Sequence, residues 1–182
     1  MPGVRSGRYA ARVGTIPRVR FITQDVWFGK LSDEEHDKRW AAYYAHFESI
    51  RGSLPPSLVW LYDTYGLHDG HLSALNCNPQ EGTALMVVDS WNNFNGDFKV
   101  LYYLQFEGVE ALNLDATKMN EQCHGGLGDI GYFEIDVLPD GLHRIDLLFW
   151  SGTEICVTFK TLSITTDPAD FFPSAVASSC TS

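Results

Sequence analysis

The sequence predicts an α+β domain in which two N-terminal helices pack on a curled antiparallel β-meander of about six strands. Three observations predict it. A capped, aromatic-rich helical period occupies the first third, strand-like alternation takes over at His71 and persists to Thr165, and Gly-, Asn-, Pro- and Asp-rich turns punctuate that second part. The 182 residues, 45% of them hydrophobic, suffice for one core without a disulfide or a structural metal. They divide into an Arg-rich tail over 1–20, a single domain over 21–165 and a C-terminal tail over 166–182.

Ser32 ahead of Asp33, Glu34 and Glu35 is an N-cap followed by acids in the first turn, where the helix dipole favours them. Trp40, Tyr43, Tyr44, Phe47 and Ile50 then recur at three- and four-residue intervals, placing one aromatic stripe toward the core until Gly52. Pro55-Pro56 opens a shorter helix through Leu58, Val59, Leu61 and Tyr62, with Gly66 where a left-handed cap belongs.

Strands are expected at 71–76, 83–91, 98–107, 131–138, 142–150 and 154–165. Pairing Leu138 with Leu142 sets Ile135 opposite Ile145 and Phe133 opposite Leu147, while pairing Trp150 with Glu154 sets Leu147 opposite Val157 and Ile145 opposite Phe159. One face is then continuously apolar. The other carries Glu134, Asp136, Arg144, Asp146, Glu154 and Lys160, with the like-charged Glu134 and Asp146 opposed. This face is either solvated or a site that meets a cation or a basic partner. In the earlier hairpin, Ala84, Met86 and Val88 match Leu104, Tyr102 and Val100, and Leu85 and Val87 match Tyr103 and Leu101. Both faces are apolar there, which leaves room for a homodimer contact.

Charge restricts the function classes. Five Arg precede the first acid, Asp25, so residues 25–182 hold eight basic and 23 acidic residues, a net −15. Such a body repels phosphate backbones and attracts basic proteins, so nucleic acid is not expected as a partner and a basic protein is. The longest apolar runs fall well short of the ~20 residues of a spanning helix, so no membrane is expected either. The Arg-rich start lacks the apolar core of a secretory signal. Cys77, Cys123, Cys156 and Cys180 are scattered without metal-ligand spacing, which suits reduced thiols in the cytoplasm; no metal or other cofactor is expected.

Two clusters carry possible chemistry. Leu67-His68-Asp69-Gly70-His71 sets imidazoles beside a carboxylate, as in an acid/base pair or two metal ligands, but adjacent strand residues face opposite ways and no nucleophile elbow accompanies them. A turn explains the run more economically, with Gly70 supplying a positive φ. Cys123-His124-Gly125-Gly126-Leu127-Gly128-Asp129 suggests a phosphate cradle or a nucleophile and base, yet a strand pattern follows where a helix N-terminus is needed, so it reads as a connector. Asp115 and Glu121 flank it without the spacing of paired acids.

Arg20-Phe21-Ile22-Thr23-Gln24-Asp25-Val26-Trp27, Ser53-Leu54-Pro55 and Leu67-His68-Asp69 occur in this order ahead of the block Gly131 to Ile164. Over about residues 19–165 the chain thereby resembles an uncharacterised family of bacterial domains with a Leu-His-Asp motif before an antiparallel sheet. The resemblance implies structural roles for Leu67, His68 and Asp69 and no cofactor. In general character, small, acidic and helix-then-meander, it is also similar to immunity proteins of bacterial toxin systems. The expected function is a non-enzymatic acidic module that binds a basic protein, most specifically an immunity-type inhibitor of a cognate toxin, through Glu134, Asp136, Asp146 and Glu154. The alternative is a small metal-assisted or acid/base hydrolase centred on His68, Asp69 and His71.

Overall fold

In the computed structural model, residues 19–64, 66–91, 99–116 and 126–167 are described, and the switch from helical to strand periodicity falls at Gly70. A short α1 (Gln24–Trp27) precedes α2 (Asp33–Ile50), one 3-10 turn and α3 (Pro56–Thr64). The Ser32 hydroxyl accepts from the Glu35 amide at 3.4 Å, which caps α2 as its sequence requires. Tyr43 and Phe47 on α2 and Leu58, Leu61 and Tyr62 on α3 enter the core, whereas Tyr44 remains exposed.

Eight strands form one antiparallel sheet: β1 (Gly70–Asn78), β2 (Thr83–Trp91), β3 (Lys99–Glu107), β4 (Ala111–Asp115), β5 (Asp129–Val137), β6 (His143–Phe149), β7 (Glu154–Phe159) and β8 (Thr161–Asp167), in the order β4-β7-β6-β5-β1-β2-β3-β8. The count exceeds the expected six, and α1 adds a helix, for identifiable reasons. The strand expected over 154–165 bends at Lys160, so its first half pairs with β6 and β4 and its second with β3. Its partner bends at Gly108, where β4 leaves β3; a Cβ there would lie 2.8 Å from Lys160 Cγ, so the two corners nest only with glycine in place. Because one residue joins β7 to β8 across nearly the whole strand order, the sheet wraps round onto itself. Its concave side holds Met86, Leu104, Phe106, Ile135, Ile145, Val157 and Phe159 in a single core with the helices.

Registers hold in parity and shift in detail. Ile135 faces Ile145 and Phe133 faces Leu147 as expected, and Glu134 and Asp146 are indeed opposed. The β6–β7 pairing lies two residues from expectation, with Leu147 opposite Ile155, because the chain already reverses at Phe149 through a turn with Gly152 at φ +85°. The β2–β3 pairing is likewise offset by two, Met86 facing Leu104. An offset of two preserves which face each side chain occupies. Gly66 and Gly70 are not at positive φ: Asp69 takes that conformation at +58°, and Gly70 is needed for space, since a Cβ would lie 2.7 Å from Val88 and 2.9 Å from the Leu67 carbonyl.

Candidate functional site

The acidic face of β5, β6 and β7 is not open to water. Residues 19–22, of which Val19 and Arg20 fall within the expected tail, run across it with Val19 and Ile22 buried, and their backbone amides are spent on its carboxylates. Glu134 Oε1 accepts from Phe21 at 2.7 Å and Ile22 at 2.8 Å, its Oε2 accepts from Arg20 at 3.0 Å, and Glu154 Oε2 accepts from Val19 at 3.2 Å. The Arg20 guanidinium lies 2.8 Å from Asp136 and 3.2 Å from His46, and the His46 ring stacks on Phe21. Hydrogen bonds to a charged group contribute ~1.5–3 kcal/mol each, so this strap and the face beneath it stabilise one another. Of the two readings of this face, solvated or meeting a cation or a basic partner, the solvated one is corrected: Glu134, Asp146 and Glu154 are buried and Asp136 is largely covered. At the other end of the chain, Thr166 and Asp167 belong to β8 rather than to a tail.

Asp146 shows what enclosure does to the opposed acids. Burial, with the nearby Glu134 charge, pushes its carboxyl up to about 6 against the pull of Arg144 and Cys156. Arg144 Nε is 2.8 Å from Asp146 Oδ2 but its N–H is not aimed at that oxygen, making this a charge pair without a hydrogen bond. Burial also raises the Cys156 thiol, with Asp146 adding to the effect, and lowers the His143 imidazole. These groups hold the fold.

The exposed chemistry lies around the Leu-His-Asp motif. His68 Nδ1 is 3.1 Å from Asp69 Oδ2, while His71 Nδ1 pairs separately with Asp129 at 3.5 Å. The register sets His71 between Asp89 on β2 and Asp129 on β5, on the outer side of the sheet. The structure thus makes two imidazole–carboxylate pairs out of the cluster, and the Ser90 hydroxyl donates to the His68 backbone carbonyl at 3.2 Å. Among the described residues, no three His, Cys, Asp or Glu side chains gather as a metal would require. Asp115 ends β4 opposite Glu154. Glu121 and the segment 123–125 of the glycine-rich loop lie outside the described residues.

Beside these pairs runs a band of rings that sequence reasoning did not assemble. Trp27 stacks on Phe28 at 5.5 Å and meets Trp150 at 5.1 Å and Tyr132 at 5.6 Å; Tyr132 in turn meets Trp40 at 4.9 Å and His68 at 5.1 Å. Trp150 is 47% exposed. The band exists because Gly131, at a β-bulge in β5, leaves no side chain under the Trp27 indole, whose Cη2 would lie 2.0 Å from a Cβ there. The carboxylates at its margin, Asp25, Asp69 and Asp129, are each more than 60% exposed. One local signal existed, an aromatic pair in the short apolar run Val26 to Phe28, but nothing in it points to partners more than a hundred residues away.

Between Trp40, Tyr132 and His68 the band dips into a hollow floored by Tyr43, Tyr62, Gly131 and Phe133. It is shallow, with a volume of about 20 Å³, room for roughly one or two water molecules and far below the ~300–1,000 Å³ of pockets that enclose a drug-sized ligand. Comparison with family models, curated proteins and solved structures finds no match for this chain. None of the described helices is long and apolar enough to cross a membrane.

Proposed function

We propose that this chain is a non-enzymatic module that binds a basic protein, in its most specific form an immunity-type inhibitor of a cognate bacterial toxin in the cytoplasm. The observation that carries the reading is the band of half-buried rings Trp27, Phe28, Tyr132 and Trp40, continued by the exposed Trp150, with Asp25 (paired with Lys30), Asp69 and Asp129 at its margin. Trp and Tyr dominate the energetic centres of protein interfaces, and charged residues at the rim mainly set encounter rate and partner choice. The body's net −15 supplies the long-range attraction to a basic partner. The enclosed carboxylates support this surface from within, by holding the strap and β5 in place, rather than by meeting the partner.

The test is coexpression with the basic products of neighbouring genes, followed by calorimetry on any complex that copurifies. A 1:1 complex whose association slows with added salt, and which rescues growth from the bound toxin, supports the proposal. Absence of a complex with every basic neighbour, or a complex indifferent both to salt and to Trp150→Ala, refutes it.

A further inference from the structure

The fold twice seats an arginine on an aromatic ring beside a carboxylate. Arg51 lies 5.0 Å over Phe47 and 6.0 Å over Tyr62 while its two terminal nitrogens donate to Asp63 at 3.0 and 2.7 Å. Arg20 lies 5.1 Å over Phe21 and pairs with Asp136 at 2.8 Å. A guanidinium suits such seats because it is planar, stacks on rings and matches a carboxylate with two parallel donors.

The hollow at Trp40, Tyr132 and His68 has the same ingredients. Six rings line it, Trp40, Tyr132 and His68 at its rim, and the Asp69 carboxylate stands beside His68 at 3.1 Å with 68% of its side chain exposed. Among the described residues, no Lys or Arg of this chain lies over Trp40 or Tyr132. We infer that this hollow receives one arginine side chain of the basic partner, its guanidinium over the Trp40 and Tyr132 rings and its donors on Asp69. The hollow is only about 20 Å³, so the planar head lies across its mouth against the rings rather than inside it. The Tyr132 hydroxyl is held above its ordinary pKa chiefly by burial and further by the charge of Asp69, so that carboxylate's field reaches into the hollow. The inference rests on the basic-partner reading and gives it an anchor.

The probe is Nα-acetyl-arginine amide, titrated into the full chain and followed by NMR, with the neutral citrulline analogue as control. The expected result is a saturable shift at the Trp40 indole N–H, among the five tryptophans, and at the His68 ring, with at least threefold weaker binding of citrulline. Asp69→Asn should reduce binding at least threefold with an unchanged spectrum elsewhere, because Asn tolerates the positive φ at this position. Tyr132→Leu should weaken it comparably. Equal binding of citrulline, shifts that avoid Trp40 and His68, or full binding by Asp69→Asn would each overturn the inference. A partner complex that still depends on Trp150 would leave the module reading standing without this anchor.

Discussion

Replacing Asp146 by Asn removes a charge that the fold accommodates only at a cost. The folded carboxyl titrates at about 6 against an ordinary 3.8, so the folded chain holds its proton over a range in which the unfolded chain has released it. A group raised on folding stabilises below its unfolded pKa, and that contribution is lost as pH climbs through the folded value. The full difference is about 3 kcal/mol, of which about 2 kcal/mol falls between pH 4.5 and 7.5. Asn carries no titrating proton and has nearly the same shape. Relative to the parent, Asp146→Asn should therefore gain about 2 kcal/mol more stability at pH 7.5 than at pH 4.5. Urea unfolding of both chains at the two pH values measures this as a difference in midpoint shift of about 1 M. The contributions of groups remote from Asp146 cancel in the comparison between the two chains. A stability difference identical at both pH values, or larger in acid, would refute the assignment of a buried, proton-retaining Asp146.

Three further substitutions probe separate parts of the argument. Glu134→Gln keeps the volume but puts an NH₂ group where an oxygen accepts strap amides, so unfolding free energy should fall by about 2–4 kcal/mol and amide exchange at residues 20–22 should accelerate. Gly131→Ala drives a methyl into the Trp27 indole; a stability loss of about 1–3 kcal/mol and an altered tryptophan emission spectrum are expected, and a neutral effect would show that Trp27 does not rest there. Trp150→Ala, at an exposed ring, should lower the melting temperature only slightly while weakening the partner complex by about 2 kcal/mol or more, as interface anchors do.

Periodicity alone determined much of this protein. The cap at Ser32, the core positions of α2 other than Tyr44, the parity of the β2–β3, β5–β6 and β6–β7 hairpins away from the bulge at Gly131, and the opposed Glu134 and Asp146 follow from spacings of two and of three to four residues, which local sterics translate directly into faces. A further signal was present and decisive for the corner: buried positions run Ile155, Val157, Phe159 and then Leu162, Ile164, so the parity slips at Lys160 where the strand bends. Tertiary structure decided the rest. Which of the two allowed registers, two residues apart, a hairpin adopts depends on where its turn closes. Whether a charged face meets water depends on what lies over it, and here residues 19–22, straddling the expected tail boundary, cover it because their amides satisfy carboxylates more than a hundred residues away. The aromatic band has the same origin: its rings come from α1, α2, β5 and the β6–β7 turn, and no local pattern encodes a surface assembled from segments that meet only when the sheet curls.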